Sequence, residues 1–506
     1  MKKLFIIATF AVAFALVLNS CSSPMGSSSS SGITFTIPTS KLTMPTSSAA
    51  RAISGNEVRL WLYDGTTLYP NGLKIYWSAP FTPGSNTSVT INGIPDGANY
   101  HIVVAVGTLS ISLTSIDFSP TAFASSDRFS ISSGATTNVS LTLKDISKNF
   151  VFASLPDAIS VEELNGTLYA ASNSLTGGTG TVFSCAVPLT TNSLANSGST
   201  PGLIRSLSEG YSLASTGITP FLLVNTSQGV YQQNPGTPLA LVAPVNNNLT
   251  QPDVTWSGAA TWTTVTNGVT VPFSVYFYTS SSGASFSLGG LYDANELPTS
   301  STSTAAWRTV NVSNLTGIIG NPILDFALTT TGSASSPTIY GFFATRLVGT
   351  VRVNSDWLQQ TTLQLSDLLS NSSSYFTYIG AGMPLVQALG LAPDSVTGTQ
   401  TLYLGTAGGV YTIPDATATT LATPVLVNGT QGIDIQRIVT DAAGDVAFYS
   451  PVDLFVLPVG KPLLRLPFVT STVGIIHDVR WSPSTSGTLY IVGNRGVAQL
   501  AVGSLE

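Results

Sequence analysis

The chain has 506 residues, of which 43% are hydrophobic and only 8% charged, with a net charge of −6. Its 18 Lys and Arg are thinly spread and cannot cluster against phosphates, which excludes a nucleic-acid partner. Two histidines far apart, His101 and His477, exclude a histidine-rich metal site, and the length and apolar content suit large cores in more than one domain.

Residues 1–20 have the layout of a secretory signal peptide: Met1, Lys2 and Lys3, an apolar stretch from Leu4 to Leu18, then Asn19 and Ser20. The stretch is shorter than the ~20 apolar residues that span a bilayer. Leu18-Asn19-Ser20-Cys21 resembles the lipobox of bacterial lipoproteins, although Asn19 departs from the small or hydroxyl residue usual there. The resemblance implies cleavage before Cys21 and its modification with diacylglycerol and an acyl chain such as palmitate; an ordinary cleavage site is the alternative. Each buried methylene contributes ~0.8 kcal/mol, so two or three chains hold a protein durably without a transmembrane helix. The expected partner is therefore a membrane, in the bacterial cell envelope, and Ser22 is compatible with the outer membrane, on its periplasmic or surface side. Lipid on Cys21 leaves Cys185 without a disulfide partner, and its apolar run, Thr181 to Val187, marks a buried structural thiol. Residues 21–32, rich in serine, form a tether.

Residues 33–145 read as a small antiparallel β-sandwich, from short runs such as Val58 to Leu62, Leu73 to Trp77, Ile102 to Val106 and Val139 to Leu143 between Gly-bearing turns. The stretch from Ser88 to Val104, with Gly93, Pro95, Gly97 and Tyr100, resembles the turn signature of carboxypeptidase-regulatory-like and transthyretin-like sandwiches. That resemblance implies a spacer or binding accessory without chemistry. Pro95 and Gly97 would set the turn and Tyr100 would cover the core, with His101 on the opposite face as a surface residue.

Residues 146–506 carry a long-period repeat. Gln400 to Tyr411 and Gly487 to Ala498 are its clearest copies. Looser ones start near Gly166, Phe221, Val275, Thr338 and Val446, making about seven units in all. The pattern resembles the paired middle strands of β-propeller blades, so the expected fold is all-β: the sandwich followed by a seven-bladed propeller. A second sandwich or a β-solenoid is the alternative. The last unit supplies three strands, and Asn149 to Ser154 is expected to pair with it and close the ring.

No catalytic constellation and no cofactor site emerge. Thr279 to Phe286 resembles the Asp-box of sialidase-like propellers but has a serine in place of the aspartate. Asp441 and Asp445 fit a hairpin turn better than a calcium loop. His477 and Asp478, adjacent on a strand, face opposite ways. Trp256, Trp262, Trp307 and Trp357, in the loop-rich third and fourth units, are candidates for a surface that binds a glycan or protein, with core packing as the alternative for each. The expectation is a membrane-anchored, non-enzymatic binding or scaffold protein using one propeller face; the alternative is an extracellular carbohydrate-acting hydrolase.

Overall fold

The computed structural model describes residues 32–37, 53–64, 73–81, 87–111, 116–132, 135–174, 177–214, 217–233, 237–241, 254–266, 269–280, 288–289, 309–310, 323–333, 336–345, 349–353, 376–380, 382–394 and 397–505. Cys21, the expected signal peptide and nearly all of the expected tether lie outside them.

The described strands form seven four-stranded sheets, one three-stranded and one six-stranded sheet, so the chain is all-β. The three-stranded sheet orders Thr87–Asn92, Gly32–Ile37 and Thr136–Val139. It packs Ile33 and Val89 against Val58, Leu60, Leu62, Ile102, Val104 and Val106 of the six-stranded sheet. One expectation needs correcting: Gly32–Ile37 pairs in parallel with Thr136–Val139, so the sandwich is not wholly antiparallel. The turn also works differently. Gly93 takes the positive φ of 77°, while Gly97 is extended and leaves room for the Tyr100 ring, whose atoms would lie 3.0 Å from a Cβ there. Tyr100 is fully buried and its hydroxyl donates to the Pro95 carbonyl at 2.9 Å, tying the turn to the core.

The six-stranded sheet is buried on both faces. Trp61, Tyr63, Val103, Ala105, Phe118 and Phe123, on the side away from the sandwich core, share a second core with Tyr449, Leu454, Phe468, Val473 and Leu500. This explains why Ile102 to Val106 is continuously apolar instead of alternating, as expected of a strand covered on both sides. It also corrects the surface assignment of His101, whose face is turned toward this junction. Its Nε2 lies 3.3 Å from Ser125 Oγ, and burial holds its pKa down at about 4.

Each of the seven sheets is a blade. Blade 1 contains Ala158–Leu164, Thr167–Asn173, Gly180–Ala186 and Ala195–Thr200 in order, and blades 2 to 6 follow along the chain with first strands Ile204–Ala214, Val254–Thr266, Ile323–Ser333, Val386–Pro393 and Arg437–Thr440. Blade 7 contains Ile476–Trp481, Thr488–Gly493 and Gly496–Ala501, and its outer place is taken by Phe150–Ser154. The register runs from Phe150 opposite Leu500 to Ser154 opposite Gly496, which is the ring closure expected from the sequence. The glycine that recurs in the repeat has a steric reason. A Cβ on Gly496 would lie 2.2 Å from the Ala153 carbonyl of the closing strand, and one on Gly409 2.5 Å from the Thr430 carbonyl in blade 5.

A helix that the sequence reading did not anticipate, Pro467–Val473, links blades 6 and 7. Its residues are poor helix formers, but Pro467 suits the first turn and Phe468, Val469, Thr472 and Val473 are all buried. Phe468 packs 5.2 Å from the ring of Phe123 and 5.9 Å from that of Phe150, so it joins sandwich and propeller. Phe468→Ala is expected to cost ~3–5 kcal/mol in denaturant unfolding. Val459→Ala, at a half-exposed turn, is expected to stay within ~0.5 kcal/mol.

Candidate functional site

The first strand of each blade lines the centre of the ring. In six blades this strand carries a register shift near its start, after which regular pairing resumes at Ser160, Ser206, Trp256, Asp325, Ala388 and Asp478. Arg437 starts the corresponding strand of blade 6. These seven positions are equivalent. Three of them make one recurring joint, in which the side chain accepts the backbone N–H one step further along in the next blade. Asp478 takes Val161 N–H at 3.2 Å, Ser160 takes Leu207 N–H at 3.0 Å and Asp325 takes Leu389 N–H at 2.8 Å. A bulge re-aims a side chain in this way at the cost of one ladder pair.

A mixed-charge network surrounds these joints. Asp478, 2% exposed, accepts the Ser160 hydroxyl at 2.7 Å and lies 3.3 Å from Arg437 Nε. Two residues further along, Arg480 Nε lies 3.5 Å from Glu162 Oε2 and 3.9 Å from Asp478 Oδ2. Burial, only partly opposed by Arg480, pushes the Glu162 carboxyl up to about 7. Burial likewise raises Asp325, and it raises the Tyr449 hydroxyl, which donates to the His477 carbonyl at 2.5 Å. Arg437 stays firmly protonated: burial works against its charge, but Asp478 and Asp325 outweigh it.

A cavity of about 380 Å³ opens beside this network, lined by Glu162, Glu209, Asp325, Arg437 and Arg480 and walled elsewhere by small or apolar residues such as Ser208, Ala327 and Gly390. The arrangement can hold a small polar molecule. Its carboxylates are engaged by guanidiniums, hydroxyls and amides, which suits binding more than proton transfer. The sequence reading missed this cluster. The signal was present: in a chain with 8% charged residues, Glu162, Glu163, Arg437, Asp478 and Arg480 all fall within apolar strands.

His477 and Asp478 do diverge: His477 is exposed, with Nδ1 2.7 Å from the Ala158 carbonyl, while Asp478 is buried. Asp441 shapes its hairpin by accepting the amides of Ala443 at 2.9 Å and Asp445 at 2.8 Å. Cys185 is buried, and burial raises its thiol pKa. Trp256 occupies the ring position of blade 3, and Trp262, on the same strand, pairs with Phe273. Trp307, Trp357 and most of the Asp-box-like segment lie outside the described residues.

No protein-family model matches the sequence, and neither does any curated protein. Solved structures similar to the chain include PorZ, a surface component of the type-IX secretion system of Porphyromonas gingivalis, at 12% identity and a TM-score of 0.43. That similarity covers 81% of this chain and 57% of PorZ, so the chain spans a little over half of PorZ. Virginiamycin B lyase from Staphylococcus aureus is similar at 10% identity and a TM-score of 0.39, over 70% of this chain and 99% of the lyase. YCF48 from Cyanidioschyzon merolae is similar at 12% identity and a TM-score of 0.41, over 70% of this chain and 98% of its own. Likeness of this size bears on neither activity nor ligand.

Glu162 binds its proton more tightly in the folded chain than in the unfolded one. The stability this proton confers is present below about pH 4.5 and is lost as pH rises through about 7. Denaturant midpoints across that window are expected to show a decline on the order of a few kcal/mol, which Glu162→Gln flattens.

Proposed function

We propose that the protein is a lipid-anchored, non-enzymatic binding or scaffold protein of the bacterial cell envelope that meets a protein or glycan partner with one propeller face. The observation that carries this reading is an asymmetry among the blades. The first hairpins of blades 2, 3 and 4 have strands of 11 and 10, 13 and 12, and 11 and 10 residues. Those of blades 1, 5, 6 and 7 have 7 and 7, 8 and 7, 4 and 4, and 6 and 6. Three adjacent hairpins therefore extend beyond the ring.

Among the described residues, third strands pair with these hairpins only near the base, at Leu222 to Thr226, Tyr278 to Thr279 and Gly341 to Thr345, so that there the extensions are two-stranded with open edges. Each returning strand carries a proline there, Pro220, Pro272 or Pro337. Proline has no N–H to offer another strand, so it keeps an open edge from pairing indiscriminately. The extensions, Tyr211 to Pro220, Trp262 to Phe273 and Thr329 to Tyr340, contain no charged residue and are rich in Thr, Ser and aromatics. Such a composition suits neutral partners such as glycans or uncharged protein surfaces.

The sandwich packs against blades 6 and 7. In a ring of seven, blade 3 stands across from that joint. The long hairpins of blades 2 to 4 therefore lie across the ring from the sandwich, to which the first described strand, Gly32–Ile37, belongs. Among the described residues no helix is long and apolar enough to cross a membrane, which suits attachment by lipid.

Cys21→Ser is expected to abolish labelling by radioactive palmitate and to move the protein from the membrane to the aqueous fraction; continued labelling would refute the anchor. For the contact surface, the lipid-free protein is tested on a glycan array and by cross-linking in intact envelopes. Replacing residues 211–220, 262–273 and 329–340 with two-residue turns is expected to remove the interaction while the unfolding transition persists. Glycan turnover by the unmodified protein would decide for a hydrolase instead.

A further inference from the structure

The channel cavity lies at the start of the first strands, whereas the long hairpins end at their far tips. From Ser206 to Ala214 the chain rises roughly 25 Å, so the two features are independent. Among the described residues the acids around the cavity outnumber the guanidiniums: Glu162, Glu209, Asp325 and Asp478 stand against Arg437 and Arg480. Asp478 has Arg437 at 3.3 Å, and Glu162 has Arg480 at 3.5 Å. Asp325 stands on the wall formed by blade 4. Its Oδ1 accepts the Phe326 amide at 2.9 Å and its Oδ2 the Leu389 amide at 2.8 Å. Among the described residues, no guanidinium or ammonium lies within ion-pair distance of it. Two neutral amides hold this carboxylate in place without cancelling its charge, and it faces about 380 Å³ of space bounded by Ala327, Leu389, Gly390 and Leu391.

We propose that this cavity binds a small organic monocation, a primary amine or a guanidinium compound, with its charge on Asp325 and its aliphatic part against Ala327, Leu389 and Leu391. A short buried carboxylate fixed by backbone amides is pre-organised for one cationic head group. A metal ion suits the site less well. Calcium takes about six to eight oxygens, and no group of three carboxylate, thiol or imidazole ligands converges among the described residues. An ammonium group needs only a few acceptors, and each carboxylate offers several lone pairs. The raised carboxyl of Asp325 is consistent with this: burial outweighs the opposing pull of Arg437 and of the two amides, and a cation seated on the carboxylate takes the place of its proton.

The test uses the mature chain without lipid and three probes of equal length: butylamine, butanol and butyrate. Isothermal titration at neutral pH is expected to show saturable butylamine binding at millimolar concentrations, weakening as the solution is acidified, with none for butanol or butyrate. Asp325→Asn keeps an oxygen for the Leu389 amide and is expected to weaken butylamine binding about tenfold to a hundredfold. Ala327→Leu fills the cavity without touching a charge and is expected to cause a similar loss, which covers the case in which Asp325→Asn does not fold. Equal binding of butanol, no binding of butylamine, unchanged affinity in both variants, or calcium binding that displaces the amine would each overturn the proposal.

Discussion

The joint between the last blade and the first is the interaction on which everything else depends. A blade has two apolar faces and buries them only against neighbours, so a seven-blade ring with one open seam would leave two faces and two strand edges in water. Two devices close the seam. At the rim, Phe150–Ser154 completes the blade that ends the chain. At the axis, Ser160, Glu162 and Glu163 of the first blade meet Asp478, Arg480 and Ser482 of the last at 2.7, 3.5 and 2.5 Å. Breaking a buried charge pair costs far more than a pair contributes over apolar packing, so the axial seam fixes register more than it adds stability.

The second constraint is the doubly buried sheet of the sandwich. Arg465 of blade 6 stacks 3.6 Å above the ring of Tyr63 and donates from Nε to Asp453 at 2.9 Å. Thr472 donates to the Phe118 carbonyl at 2.8 Å, and Lys144 to that of Leu505 at 2.8 Å. These bonds surround a shared apolar core, so sandwich and propeller meet as one body and not as beads on a linker. The propeller is thereby held at a set angle to the first strand of the sandwich.

The β-strands, their grouping into seven units and the strand that closes the ring were legible in the sequence, because glycine-led hairpins recur with the same neighbours and because one unit lacked a strand. The helix at Pro467–Val473 was not, since Val, Thr and Phe favour strands locally and only burial on several sides makes that turn helical. His101 was misplaced for a related reason: alternation identifies the opposite face of a strand but not what covers it. The channel network was hidden because it joins residues more than 300 positions apart, as with Ser160 and Asp478. Charges inside apolar strands were the available sign. The tryptophans, conspicuous by type, stood out more than the acids and arginines that the fold gathers.

The pairing of Phe150 with Leu500 sets an order of events. The two strands lie about 350 residues apart in the chain. A ribosome delivers the earlier one long before its mate exists, so the ring cannot close until residues 496–501 have been made. Until then Phe150, Phe152 and the face of the first blade that meets the last have no native cover. A holding chaperone, or threading of the unfolded chain through a translocation pore, would meet that need, and the sparse surface charge makes the waiting state prone to self-association.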